Sequence, residues 1–301
     1  MNNFRGTGVA LATPFLPDLS VDTTGLRNLV RHQIAGQVDY LVVLGTTGET
    51  ATLSEAEKRL VIETIIDENA GQLPIVLGVG GNNTKDLGEQ LQKYPKDYSL
   101  DGILSVSPYY NKPSQEGIFQ HYRYLSDLTD LPIILYNVPP RTSSNMLAET
   151  TLRLAEIPNI VAMKEASGKL DQCMEIVRHK PEGFALLSGD DALALPLISL
   201  GAEGIISVTA NSLPGPFSQM VKAALAGDFD SARQLHYDLL PLIGLNFAEG
   251  NPAGVKYQLA LQGLCEPSVR LPLVAATEPL RQKMQSAWAR LMSKIETASY
   301  Q

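Results

Sequence analysis

The chain has 301 residues, 44% hydrophobic and 19% charged, which suits one large unit, or a large one with a smaller appendage, around a sizeable core. Its 24 basic and 32 acidic residues leave a formal charge of −8, the wrong sign for a general nucleic-acid surface. No apolar run approaches a membrane span and no signal peptide precedes Gly6, so a cytoplasmic protein without a membrane partner is expected.

Cys173 and Cys265 lie far apart and form no metal or redox motif, which reads as buried, reduced thiols. His32, His121, His179 and His236 show no ligand spacing, and neither a P-loop nor a dinucleotide fingerprint occurs. No metal and no cofactor is expected.

In chain order, residues 8–15 open as a small-residue strand ended by proline. A helix follows over 22–37, with Leu26, Leu29, Val30 and Ile34 on one face. Residues 40–44 form a continuous apolar run, and Ser54-Glu55-Ala56-Glu57 is a capping box that opens a helix through Leu60, Val61 and Ile65. Strands are then expected over 74–78, 102–106, 132–136, 160–163, 184–188 and 204–208. Helices are expected between them, over 86–94, 114–128, 145–157, 170–178 and 191–200. About eight short, doubly apolar strands alternating with amphipathic helices argue for a (β/α)8 TIM barrel; an open doubly wound sheet usually has fewer strands and a Gly-rich phosphate turn. After Pro214 the strand pattern stops, and 216–226, 229–248, 251–262 and 276–295 read as helices. The expected organisation is a catalytic barrel over 1–225 and a C-terminal helical region over 226–301.

In such a barrel the chemistry sits where the strands end. The run Ile160-Val161-Ala162-Met163 ends in Lys164, and an ammonium buried without a partner tends to lose its proton. A neutral lysine is a nucleophile for ketones and aldehydes, with an expected pKa of roughly 7–8 when tuned for that work. The second strand ends in Gly45-Thr46-Thr47-Gly48-Glu49, whose amides and hydroxyls suit a carboxylate or phosphate oxygen. The fourth ends in Ser107-Pro108-Tyr109-Tyr110-Asn111. The fifth ends in Tyr136-Asn137-Val138-Pro139-Pro140-Arg141-Thr142, a phenol for proton transfer and a guanidinium fork for a carboxylate. In Ser188-Gly189-Asp190-Asp191, the aspartates read as a helix cap and Gly189 as room for a ligand. Amine, proton shuttle and carboxylate cradle at one rim are what Schiff-base chemistry on a keto acid requires.

These motifs, in this order and over essentially the whole chain, resemble the dihydrodipicolinate synthase family of pyruvate-dependent class I aldolases. Residues 251–256 are similar to that family's Asn-Pro…Lys element. The resemblance implies that Lys164 forms an imine with pyruvate, that Thr46 and Thr47 hold the pyruvate carboxylate, and that Tyr136, Thr47 and Tyr110 form a proton relay. It further implies that Arg141 binds the carboxylate of L-aspartate 4-semialdehyde, that Gly189 and Ile206 line the pyruvate pocket, and that no cofactor enters. Arg141 and the Tyr109-Tyr110 pair favour this family over N-acetylneuraminate lyase, and the intact set of chemical residues argues against a catalytically silent keto-acid-binding barrel. In the family, the residue matching Tyr110 enters the site from a neighbouring subunit, so a homo-oligomer is implied, at least a dimer and usually a tetramer. Feedback-sensitive members bind L-lysine at positions matching Thr50, Ala51, Glu55, Lys58, Asn82, Asp86 and Tyr109. The positive Lys58 and the short Asp86 at these positions lead us to expect a weak response to L-lysine.

Overall fold

Strands that are apolar on both faces must lie between two layers, and a closed barrel wrapped in helices supplies both. The computed structural model describes residues 4–298. Eight parallel strands, β1 (Gly6–Ala10), β2 (Tyr40–Val43), β3 (Ile75–Gly78), β4 (Gly102–Val106), β5 (Ile133–Asn137), β6 (Ile160–Glu165), β7 (Ala185–Ser188) and β8 (Gly204–Ser207), pair in sequence order, and β8 closes on β1. Around them run α1 (Thr23–Ala35), α2 (Glu55–Asn69), α3 (Thr84–Asp97), α4 (Gln115–Ser126), the short α5 (Pro139–Thr142), α6 (Ala148–Ala155), α7 (Leu170–His179), α8 (Ala194–Ser199) and α9 (Pro214–Leu225). Three more helices follow, α10 (Phe229–Phe247), α11 (Ala253–Leu261) and α12 (Glu278–Ala298).

Successive strand residues face opposite ways. Val42, Val76, Leu104, Ile134, Ala162, Leu187 and Ile206 fill the inside of the barrel, while Leu41, Leu77, Ile103, Leu135, Met163, Leu186 and Ile205 pack against the helices. The N-terminal end is plugged by rings: Phe4 meets Tyr40 edge-on, with centroids 5.4 Å apart. Gly8 makes this possible, because a Cβ there would stand 2.2 Å from the Tyr40 ring. With that end closed, only the C-terminal end of the barrel can admit a ligand.

The expected capping box is present: Ser54 Oγ accepts from Glu57 N, and Ser54 N donates to Glu57 Oε2 at 2.8 Å. Of the boundaries that differ from the sequence expectation, three have a visible cause. The first strand runs over Gly6–Ala10 and not to Phe15, because Asn211 takes over its C-terminal hydrogen bonds, donating to Ala10 O and accepting from Ala12 N. Residues 145–147 stay outside α6, because Asn145 is engaged sideways with Asn137, Gln172 and Gln115. The helix expected over 191–200 begins as a 3-10 turn, Asp191–Leu193, because the Asp191 side chain reaches away to Thr209.

Gly8→Ala should destabilise the barrel by about 1–3 kcal/mol, the usual cost of overpacking, read as a lower denaturation midpoint at unchanged slope. A wild-type midpoint would show that Tyr40 has room to retreat.

Candidate active site

Lys164 stands at the C-terminal end of β6, in register with Tyr136 on β5, and its Nζ lies 4.4 Å from the centre of the Tyr136 ring. The residue is only 5% exposed, and among the described residues no carboxylate pairs with it directly. Burial brings its pKa down to about 8, against the pull of the Asp191 carboxylate; the positive Arg141 pushes the same way as burial. Its backbone is held by the next residue. Glu165 turns outward and accepts from Asn137 Nδ2 at 3.1 Å, Gln172 Nε2 at 2.9 Å and Ser167 N at 2.6 Å, which locks β5, β6 and α7 together.

Burial pushes the Tyr136 phenol up to about 12, with Arg141 and the hydrogen bond of the Thr46 hydroxyl acting in the opposite direction. At neutral pH it is therefore a protonated phenol, able to donate. The hydroxyl beside it is that of Thr46, which stands exposed at the rim. Thr47, expected in the proton relay, is buried, and its Oγ1 accepts from Asn251 Nδ2 at 3.0 Å. The two threonines begin a 3-10 turn, Thr46–Gly48, and so point to different neighbours. Arg141 lies exposed on α5, and among the described residues its guanidinium has no ion-pair partner. A free fork on the helix that follows β5, at the C-terminal end of the barrel, suits an incoming carboxylate.

At Gly189, expected to leave room for a ligand, a Cβ would fall 2.7 Å from Ala166 Cβ and 3.1 Å from both Cγ and Cε of Lys164, so the glycine makes space for the lysine stem itself. Ile206 belongs to the inner layer and is 1% exposed. Asp190 is the cap, accepting from Ala192 N, whereas Asp191 is buried and accepts from Thr209 N at 2.8 Å and Thr209 Oγ1 at 2.6 Å. That corrects the reading of both aspartates as a simple cap: burial raises the Asp191 pKa against the hydrogen bonds of Thr209 and Ser207, and in its charged form Asp191 pulls the Lys164 pKa up.

Tyr110 is not brought to the site by its own chain. It is 87% exposed, at φ 73°, on a loop that Asn82 holds through Tyr109 O. Of the positions matched to an L-lysine site, Thr50 is spent locally on Leu44 O, Lys58 pairs with Glu55 at 2.7 Å, and Ala51 and Asp86 are exposed.

An amine that is deprotonated in an appreciable fraction of molecules, beside a protonated phenol, can add to a carbonyl carbon and lose water to form an imine. Sequence reasoning assigned no role to Asn251 and only that of a helix cap to Asp191, although both lie in quoted motifs. A signal for Asn251 was its place in the stretch that also carries Lys256, the one charge in a largely apolar helix.

A model of the dihydrodipicolinate synthetase family matches residues 3–291. A curated relative from Parabacteroides distasonis, named 4-hydroxy-tetrahydrodipicolinate synthase, is 51% identical over 293 residues, covering 97% of this chain and 98% of its own. Among solved structures, the 4-hydroxy-tetrahydrodipicolinate synthase of Methylacidiphilum fumariolicum is similar with a TM-score of 0.94 at 38% identity, covering 98% of both chains. A dihydrodipicolinate synthase from Acinetobacter baumannii, described as chloride-inhibited and complexed with pyruvate, has a TM-score of 0.93 at 40% identity, covering 96% of this chain and 99% of that one.

The Lys164 pKa has a direct consequence for pH. Deprotonation creates the nucleophile, so reactivity rises with pH and levels off above the pKa. At about 8 roughly a tenth of the molecules carry a neutral amine at pH 7, against roughly three in ten thousand for an ordinary lysine. Reductive alkylation of Lys164 by a small aldehyde and cyanoborohydride, followed by peptide mapping, should be half-maximal near pH 8 and level off above it, while surface lysines in the same digest keep climbing. A profile still climbing at pH 10 would contradict the lowered pKa.

Proposed function

The chain belongs to the dihydrodipicolinate synthetase family, and on that premise we propose that it is a Schiff-base lyase condensing pyruvate with L-aspartate 4-semialdehyde, the 4-hydroxy-tetrahydrodipicolinate synthase reaction of lysine biosynthesis. The observation that carries this reading is Lys164: a buried amine with a pKa brought to about 8, facing a protonated phenol at the open end of the barrel. The amine adds to the pyruvate ketone and water leaves, giving the imine. Loss of a methyl proton gives the enamine, whose carbon attacks the aldehyde of the semialdehyde. The substrate amine then displaces Lys164 as the ring closes.

The Thr46–Thr47 turn receives the pyruvate carboxylate through its amides and hydroxyls. Arg141 takes the carboxylate of the semialdehyde, supported by its exposed, unpaired guanidinium. Protons move through Tyr136, the Thr46 hydroxyl and Tyr110, with Thr46 in the place expected for Thr47 because it is the hydroxyl beside the phenol. Tyr110 acts from a second copy of the chain. Its exposure and left-handed backbone, which project the ring outward, support that arrangement and a homo-oligomer of at least two copies, with a tetramer as the fuller assembly. Gly189 and Ile206 bound the pocket, and the Thr50-to-Tyr109 set remains the place to look for a weak L-lysine response.

Incubation with pyruvate and borohydride should place a reduced adduct on the peptide containing Lys164 and inactivate the protein, and Lys164→Ala should take up none. Label on another lysine would sink the assignment. Arg141→Ala should raise KM for the semialdehyde by about tenfold or more, the effect of losing a charge-assisted hydrogen bond, with pyruvate KM changed less than about twofold. Equal effects on both substrates would point to a structural role for Arg141.

A further inference from the structure

Among the described residues two lysines are almost wholly removed from water, Lys164 and Lys256, and the chemistry above uses only the first. Lys256 lies on α11, 207 residues along the chain from Glu49, the residue that closes the Thr46–Gly48 turn. The Lys256 side chain is 0% exposed and the Glu49 side chain 1%, and they form an ion pair. Lys256 Nζ also donates to Ser268 O at 2.9 Å and stands 4.0 Å from the centre of the Phe15 ring. The second Glu49 oxygen accepts from Arg270 N at 2.9 Å.

The same stretch of chain grips the turn elsewhere. Asn251, two residues before α11, donates to Thr47 Oγ1 at 3.0 Å, and the Arg270 guanidinium donates to Thr52 O at 2.8 Å and pairs with Glu57. From the barrel side, Thr13 Oγ1 donates to Gly48 O at 2.8 Å. Glu49 itself sits at φ 52°, a backbone region that a non-glycine residue holds only when its surroundings over-determine it. The Glu49 carboxylate, bound on both oxygens, supplies that constraint. At Thr47, an amide donor on the hydroxyl oxygen leaves its own proton free to be aimed elsewhere.

We propose that Glu49 and Lys256 are a positioning pair, and Asn251 a positioning residue, that fix the Thr46–Thr47 turn for the keto-acid carboxylate, so that the helical segment after the barrel completes the active site. The inference rests on the reading of this turn as the pyruvate-carboxylate cradle. A buried ion pair contributes little net stability compared with apolar groups of the same volume, while removal of one partner strands the other. The pair is therefore worth more for the turn geometry than for the fold.

The test follows from that asymmetry. Glu49→Gln, Lys256→Met, the double variant and Asn251→Ala are compared with wild type for melting temperature, for kcat and KM of each substrate, and for the rate of pyruvate trapping by borohydride. Each single change in the ion pair should lower the melting temperature, and the double should recover most of that loss. The double should still show pyruvate KM raised, and trapping slowed, by about tenfold, with semialdehyde KM within about twofold of wild type. Asn251→Ala removes no charge. It should melt within about 2 °C of wild type, with pyruvate KM raised about fivefold. A merely structural role would move both substrates together. A folded double variant with wild-type pyruvate KM and trapping overturns the proposal. If the double fails to fold, Asn251→Ala decides in the same way, and an unchanged pyruvate KM overturns it. Failure of the wild-type protein to trap pyruvate at all would overturn the functional reading itself, which separates the two.

Discussion

An ammonium is expensive to take out of water, and the end of this barrel is arranged around one such group. Lys164 is held dry by the inner layer of the barrel, by Tyr136 and by a glycine at position 189 that lets its stem lie flat. No carboxylate touches it among the described residues, so burial is the largest influence on its pKa and Asp191 acts only through its field. Had Asp191 been placed in contact, the Lys164 pKa would have stayed nearer the ordinary lysine value. Instead its oxygens are occupied by the amides of Val208 and Thr209 and by the Thr209 hydroxyl, which keeps the carboxylate at its post after β7.

Lys256 shows the opposite solution in the same molecule. It is at least as buried, yet it meets Glu49 and the carbonyl of Ser268, and it serves as a tie between remote parts of the chain. Removing one member of such a pair typically costs about 3–5 kcal/mol, because the survivor is left charged in a dry place. One lysine type thus does two jobs, and the difference is whether a carboxylate is within hydrogen-bond reach. Arg270 adds a second cation against Phe15 on the other side of that tie, and its bond to Glu57 holds that carboxyl down to about 2.

The bare end of Tyr110 gives the chain a further demand. A tyrosine 87% exposed in a left-handed backbone is a costly way to display a phenol, and it is consistent with a ring meant for another copy of the chain. On the proposed reading activity depends on assembly, since one chain would supply the amine and its neighbour the last member of the proton relay.

The barrel was legible in the sequence because each strand is a short run apolar on both sides, and only a layer between two apolar layers satisfies that pattern. The capping box at Ser54 and the lysine ending the sixth strand were legible for equally local reasons: both depend on neighbours within a few residues. The direction in which Thr46 and Thr47 point was not, because adjacent residues in a 3-10 turn diverge and only the position of Tyr136 and Asn251 around them decides which hydroxyl serves which partner. Nor was the pairing of Glu49 with Lys256, of Asp191 with Thr209, or of Asn211 with the end of β1, each a contact between stretches far apart in the chain. The sequence by itself determined which residues could carry the chemistry and that they end strands. Only closure of the barrel and docking of α11 decided which of them are dry, which are paired, and which face one another, because burial and charge pairing are properties of the surroundings and not of the residue.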